Sequence, residues 1–346
     1  MSADFALMVR ARYSQSGPSA ADYATRYATA RAMAARMDIA ARRQLVEVYQ
    51  KAAEEAAAVV QDALDRGLSE LTVGRWQVIT SKLAQAADEV ARGTEATTRT
   101  VITRTASLFP EIDADYIWTA AKLARATKRI TEDGLGRLVA SVSSEVVSSL
   151  SSRLWSDGYT FSQRIWGGDG VRGDWLESIK MTVASGIAQG RDPVKIARDI
   201  QVYTADGKVA LLNRWGNLER GTAEFAKRIP KSIDYRAARL VRSELGASLQ
   251  DAAVLSGEAN PANDGLYDWV LQAGRQHWGC ECEDLAAGGP YTEDNIPTYP
   301  HPQCGCSVRP RLRDSKEFLS DLTSWAQGGD VDYIDSWYYT QYKAVA

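Results

Sequence analysis

The placement of the cysteines constrains this chain more than any other feature. Four occur in 346 residues, and all of them fall between residues 280 and 306, as Cys280-Glu281-Cys282 and Cys304-Gly305-Cys306. Two pairs of identical spacing flank one Gly- and Pro-containing loop, so the two ends of that loop are brought together. Sulfur chemistry offers three ways to do this. A tetrahedral zinc held by the thiolates of Cys280, Cys282, Cys304 and Cys306 would stabilise a loop-rich region that buries little apolar surface. The Cys-x-Cys chelate is tighter than the Cys-x2-Cys knuckle usual in zinc ribbons, and His301 stands nearby as a substitute ligand. One or two disulfides between the pairs would act similarly in an oxidising setting. Four ordinary buried thiols are the third reading, and they give no reason for paired spacing. Zinc is the cofactor carried forward, with disulfides as the alternative.

Composition narrows the class. With 45% hydrophobic and 25% charged residues the chain has an ordinary globular mix, and its length suffices for two domains. A net charge of −3 does not mark a nucleic-acid or membrane-surface binder, so any such contact is local. No apolar run approaches the ~20 residues of a spanning helix, and no secretory signal opens the sequence, which points to synthesis in a cytosol.

The spacing of apolar residues predicts a mainly helical α+β protein in four parts. Residues 1–37 carry Arg10, Arg12, Arg26, Arg31 and Arg36 and read as a basic amino-terminal arm that docks on a partner. Residues 38–166 read as a helical domain. Its first helix is capped by Asp38, carries Leu45, Tyr49, Ala52, Ala56 and Val60 on one face, and stops at Gly67. A second helix runs over Leu71, Trp76, Ile79, Leu83 and Val90 to Gly93. The β-branched stretch 94–105 argues weakly for helix, and a later helix covers residues 131–155. Gly167-Gly168-Asp169-Gly170 marks the boundary to a module spanning 167–312, and it lacks the Gly-Lys-Ser/Thr ending of a phosphate loop. Within that module Asp174, Trp175 and Glu177 open one helix. Asp192-Pro193 starts another, because proline's missing N–H costs nothing at the first helical position. Residues 204–213 read as loop or short hairpin, and residues 266–271 and 306–312 as strands of a small sheet closed by the cysteine cassette. Residues 313–346 form an aromatic tail whose Trp337 and Tyr338 read as anchors for a partner.

Residues 214–242 hold eight basic side chains against three acidic ones. That balance suits nonspecific phosphate contact as well as an ordinary solvated face. The enzyme readings are weaker. A zinc deaminase needs an acid two residues after its histidine, where this chain has His301-Pro302-Gln303. Glu281-Cys282-Glu283 has the Glu-x-Glu form of ADP-ribosyltransferases, yet sits among candidate ligands as exposed knuckle residues.

One stretch carries a resemblance. Arg242-Ser243-Glu244, then Trp269 on a short apolar run, the first cysteine pair, a Gly-Pro loop and Tyr299-Pro300-His301-Pro302-Gln303-Cys304-Gly305-Cys306 resemble the phage Mu protein F-like, or minor head protein, family of tailed bacteriophages. The resemblance covers roughly residues 175–310. It departs from the family pattern at His277 and Trp278, where an Asp and an Arg usually precede the first cysteine, and at Gly305, where an Arg is usual. The resemblance implies a non-enzymatic minor capsid protein that acts in head morphogenesis in the virion, at the portal and head interior. Its implied partners are the portal protein, the major capsid or scaffolding protein, and DNA held nonspecifically. The alternative it leaves open is a DNA-associated or ejected effector with ADP-ribosyltransferase-type activity.

Overall fold

The computed structural model describes residues 18–65, 73–189, 191–215, 235–272, 280–301 and 304–345. In chain order the helices are α1 (Ala20–Asp65), α2 (Val73–Thr105), α3 (Leu108–Leu123), α4 (Glu132–Ser152), α5 (Phe161–Trp166), α6 (Val171–Ala188), α7 (Pro193–Trp215) and α8 (Tyr235–Glu258). The carboxy-terminal part then holds β1 (Asn263–Val270), α9 (Cys282–Gly288), β2 (Tyr291–Thr292), β3 (Ser307–Leu312), α10 (Ser315–Ala326), α11 (Asp332–Trp337), a π-helical turn over Tyr338–Tyr342 and α12 (Lys343–Val345). The fold is therefore mainly α with one small antiparallel sheet, in strand order β2-β1-β3. No helix among the described residues is long and apolar enough to cross a membrane.

The chain forms two compact units that alternate along the sequence rather than following each other. One comprises Met1–Asp38, Thr100–Ser151 and Arg242–Ala346, the other Ile39–Arg99 and Ser152–Val241. In the second unit, α1 buries Leu45, Tyr49, Ala52, Ala56 and Val60, and α2 buries Ile79, Leu83, Ala87 and Val90, at the three- and four-residue spacing of one helix face. A side chain on Gly93 would meet a Val48 methyl at 2.6 Å, so glycine is what lets the backbones approach there. Thr160 and Gln163 cap α5 reciprocally. The second helical signal holds well: Asp192 Oδ1 accepts the Val194 N–H at 2.9 Å, and Pro193 is the first helical residue of α7.

Several expectations about these helices are corrected. Asp38 is not an N-cap, because α1 begins at Ala20 and runs through it. Residues 94–105 stay helical although their propensity argues against it: the Thr98 and Thr105 hydroxyls return to the carbonyls of Thr94 and Val101, so burial leaves them satisfied. The helix expected at Asp174 starts at Val171. Residues 204–213 belong to α7, which bends at Gly207 with φ of +78°. Of the basic stretch, residues 216–234 lie outside the described residues. Arg236 is engaged within the unit, pairing with Asp174 at 3.3 Å and donating to the Asp169 carbonyl at 2.6 Å.

The first unit positions the cassette. β1 pairs with β3 so that Trp269 faces Val308 and Val270 faces Ser307, and with β2 so that Tyr267 faces Tyr291. Its core takes in both ends of the described chain, which corrects the arm and the tail. Tyr23 and Tyr27 of α1 are buried, and Tyr27 stacks on Phe109 with centroids 4.1 Å apart. Residues 1–17 of the expected arm lie outside the described residues. In the tail, Trp325, Ile334, Trp337, Tyr338 and Tyr342 are buried in the same core. Three polar tips there are served: the Trp337 indole donates to the Ala259 carbonyl at 2.7 Å, the Trp325 indole to Asp335 at 2.8 Å, and the Tyr342 hydroxyl accepts from Thr131 N–H at 2.8 Å. Buried aromatics with satisfied tips contribute several kcal/mol each to a protein's own core, and so are unavailable as anchors for a partner.

A buried carboxylate ties three helical segments of this unit together. Asp113 of α3 accepts from Tyr23 of α1 at 2.7 Å, from Asn260, just beyond α8, at 2.7 Å, and from Ser256 of α8. Burial pushes its pKa up from 3.8 to about 6, against the opposing pull of hydrogen bonds from Ser256, Tyr23 and Asn260. A raised folded pKa means the native state holds the proton more tightly, so this group's contribution to stability is full below about pH 4 and is lost as pH rises through 6. Denaturant unfolding of wild type and Asp113→Asn across that window should show the difference. The wild type loses on the order of 2–3 kcal/mol with rising pH that the variant does not lose, and parallel pH profiles would refute the assignment.

Candidate metal centre

The sheet and α9 bring the two halves of the cassette together. Cys304 and Cys306 lie on the approach to β3, and Cys282 is the first residue of α9 with Cys280 just before it. The sulfurs of Cys282, Cys304 and Cys306 all lie within 4.8 Å of one another, and so do the ligand atoms of Cys280, Cys282 and His301. The five residues singled out from sequence thus form two overlapping triads that share Cys282. His277, Pro302 and Gln303 lie outside the described residues.

Distances separate the three chemistries. Cys282 Sγ is 3.5 Å from Cys304 Sγ and 3.4 Å from His301 Nε2. A disulfide needs about 2.05 Å, and all four cysteines are free. With metal–sulfur bonds of about 2.3 Å and metal–nitrogen bonds of about 2.05 Å, a tetrahedral site has sulfur–sulfur edges of about 3.8 Å and sulfur–nitrogen edges of about 3.6 Å. The observed spacings are close to those edges. The residues can therefore hold a metal ion, with Cys282, Cys304 and Cys306 buried and Cys280 half-buried.

No family model, no curated protein and no solved structure matches this chain. What the site can do must be read from its own atoms.

Its electrostatics are those of crowded thiols in need of a cation. Burial pushes the Cys282 thiol up to about 12, with further upward pressure from Cys306. Cys304 is raised further still, chiefly through its contact with the Cys306 thiol and then by burial. A coordinated dication inverts this balance, because it favours the thiolate outright. Around the sulfurs, polar contacts fix the backbone: Gln272 N–H donates to Cys306 Sγ at 3.3 Å, the Tyr299 hydroxyl to the Cys304 carbonyl at 2.6 Å, and Cys304 N–H to the His301 carbonyl at 3.2 Å. Gly305 lies against the Gln272 amide, in space a side chain would contest. Arg31 of α1 donates to the Gly305 carbonyl at 2.9 Å. Such outer contacts orient ligands in metal sites.

Sequence reasoning picks out the five candidate ligands and misses Arg31 and Gln272 as their supports. Gln272 had only its position at the end of a strand to reveal it. Arg31 belongs in sequence to the basic arm, and nothing local shows that it reaches a carbonyl 274 residues away. Glu281 and Glu283, the Glu-x-Glu pair, are exposed on either side of buried Cys282.

Raised thiol pKa values make a measurable statement about metal uptake. Loading the metal-free protein near pH 7 should release about one proton per thiolate ligand, three or more per ion. Calorimetry in buffers of different ionisation enthalpy reads this directly, and Cys304→Ser should lower the count by about one. Uptake without proton release would mean that the thiols are not ligands.

Proposed function

We propose that this chain is a minor capsid protein of a tailed phage, acting in head morphogenesis at the portal and head interior, with its carboxy-terminal module stapled by one zinc. The observation that carries the reading is the cassette itself: the order Arg-Ser-Glu, Trp, Cys-x-Cys, Gly-Pro loop and Tyr-Pro-His-Pro-Gln-Cys-Gly-Cys resembles the minor head protein family, and its ligand atoms gather at metal-like spacings. Zinc is the ion this donor set suits. It takes thiolate and imidazole in a tetrahedral shell without redox chemistry, whereas carboxylate-poor sites do not serve calcium or magnesium. Cys282, Cys304 and Cys306 would supply three ligands, and Cys280 or His301 the fourth. A zinc there would close the loop between Cys282 and Cys304 and so hold a surface of fixed shape.

A role in the head makes the portal protein the first partner to test, with capsid or scaffolding protein next. Nonspecific DNA contact would have to come from the basic residues between 214 and 242.

Two measurements test the halves of this reading separately. Metal analysis of protein purified without chelator should find about one zinc per chain, and protein that contains none while its native thiols react freely would remove the staple. Quantitative mass spectrometry of purified particles should find the chain at a few copies per head, near the portal. Absence from the particle, or a copy number matching the major capsid protein, would remove the assignment to a minor head component.

A further inference from the structure

The cassette offers one donor more than a tetrahedral ion needs, and its donors are not arranged as a single cage. The five ligand atoms gather within 4.8 Å only as two sets of three, Cys280 with Cys282 and His301, and Cys282 with Cys304 and Cys306. No set of four does so among the described residues. Cys282 stands at the junction, its Sγ 3.4 Å from His301 Nε2 in one set and 3.5 Å from Cys304 Sγ in the other. Cys282 is 0% exposed and Cys304 and Cys306 are 2% exposed, so these three sulfurs are withdrawn from water.

The member common to both sets is the one whose chemistry allows sharing. A thiolate sulfur has lone pairs enough to bridge two ions, whereas an imidazole nitrogen has a single one. Structural zinc completes a shell of four ligands, so two zinc ions here would each lack one. A [2Fe–2S] cluster takes four cysteines, but its two irons hold their cysteine pairs apart. Three of the four sulfurs here crowd within 4.8 Å, which leaves no division into two separated pairs. Soft thiolates also select monovalent copper, a closed-shell ion that three such donors satisfy. Four thiolates, a neutral imidazole and two monovalent ions sum to two negative charges, the total for one dication with four thiolates. Arg31, beside Gly305, therefore meets the same net charge in either case.

We propose that the cassette is a binuclear site for monovalent copper, in which each triad holds one ion and the Cys282 thiolate bridges the two. Cys280 and His301 complete the shell of one ion, Cys304 and Cys306 that of the other. The inference rests on the cassette being a metal centre, as the zinc reading does, and goes beyond that reading in the number and kind of ion. One zinc and two coppers are alternative loadings of the same five donors.

The test titrates the full chain, metal-free and reduced, with monovalent copper under anaerobic conditions against a chromophoric copper(I) chelator. The wild type should take up two ions per chain, one for each triad, and X-ray absorption of the loaded protein should show each copper with a copper neighbour across a bridging sulfur. Cys304→Ser and His301→Ala should each weaken one ion at least about tenfold and leave the other, whereas Cys282→Ser should weaken both. Three results would overturn the proposal: one ion per chain, two ions without a copper neighbour, or a Cys282→Ser variant that loses only one. The absorption spectrum of the wild type decides the matter even where a variant fails to fold. Two coppers in a chain purified without zinc would sink the zinc reading alone, and one copper in a chain purified with zinc would sink this one alone.

Discussion

The cassette end of the first unit depends on two overlapping ligand triads that share Cys282, because no fully buried side chain closes the segment between them. No described residue between Cys282 and Cys304 is buried. The sheet behind that segment is small, with β2 only two residues long. The loop sets Leu285, Tyr291, Ile296 and Tyr299 partly against the core and adds polar ties: the Tyr291 hydroxyl donates to the Leu285 carbonyl at 2.7 Å, and Gln250 donates to the Pro297 carbonyl at 2.6 Å. Such bonds exchange with water at a net gain of about 1 kcal/mol each, too little to order an exposed loop of this length against its chain entropy. A link between its ends removes much of that cost at once. The thiol cluster therefore ties the two ends of this segment beside β1 and β3, whose Tyr267, Trp269 and Val308 are held by the buried core.

The amino-terminal part of α1 makes the same unit possible from the other side. Its buried tyrosines carry the packing, since Tyr23 and Tyr27 lie within 5.1 Å of each other and Tyr23 meets Tyr116 edge-on at 5.8 Å. Its polar atoms carry the registry. Tyr23 reaches Asp113, Arg26 pairs with Asp115 at 2.6 Å, and Arg31 reaches Gly305. Two contacts to α3 and one to the Gly305 carbonyl leave the helix one orientation. A pair such as Arg26 and Asp115 contributes little alone in a partly solvated place, so it serves register more than stability.

How much of this was legible follows from what periodicity can carry. The three- and four-residue spacing of Leu45, Tyr49, Ala52, Ala56 and Val60 identifies a helix face because burial requires that spacing. The strands at β1 and β3 show their alternation, and paired Cys-x-Cys spacing names its own ligands. Periodicity does not say against what a face is buried. Trp337, Tyr338 and Tyr342 present the same pattern whether they cover the protein's own Ala259 and Thr131 or a partner's surface, and the structure gives them the first role. The Arg-rich stretch up to residue 37 misled in the same way, since a guanidinium aimed at a distant carbonyl looks, in sequence, like any solvated charge. Asp38 failed as a helix start because capping residues are also tolerated inside long helices once tertiary contacts hold them.

Arg31 links α1 and the cassette through charge. Burial pulls its pKa down, and the groups acting on it besides solvent loss are the thiols of Cys306 and Cys304, which stabilise its charge, and Arg309, which opposes it. Contact with the Cys306 thiol and then burial push the Cys304 thiol up, so in the metal-free state Cys304 offers the guanidinium little negative charge. A dication changes both sides together. Three thiolates and a neutral imidazole around it leave one net negative charge, and four thiolates leave two. Either complex would give Arg31 the counter-charge that a half-buried cation needs. Metal binding there and the seating of α1 on the cassette would then be one thermodynamic event, in which displacing Arg31 from Gly305 would weaken the metal by the same coupling free energy.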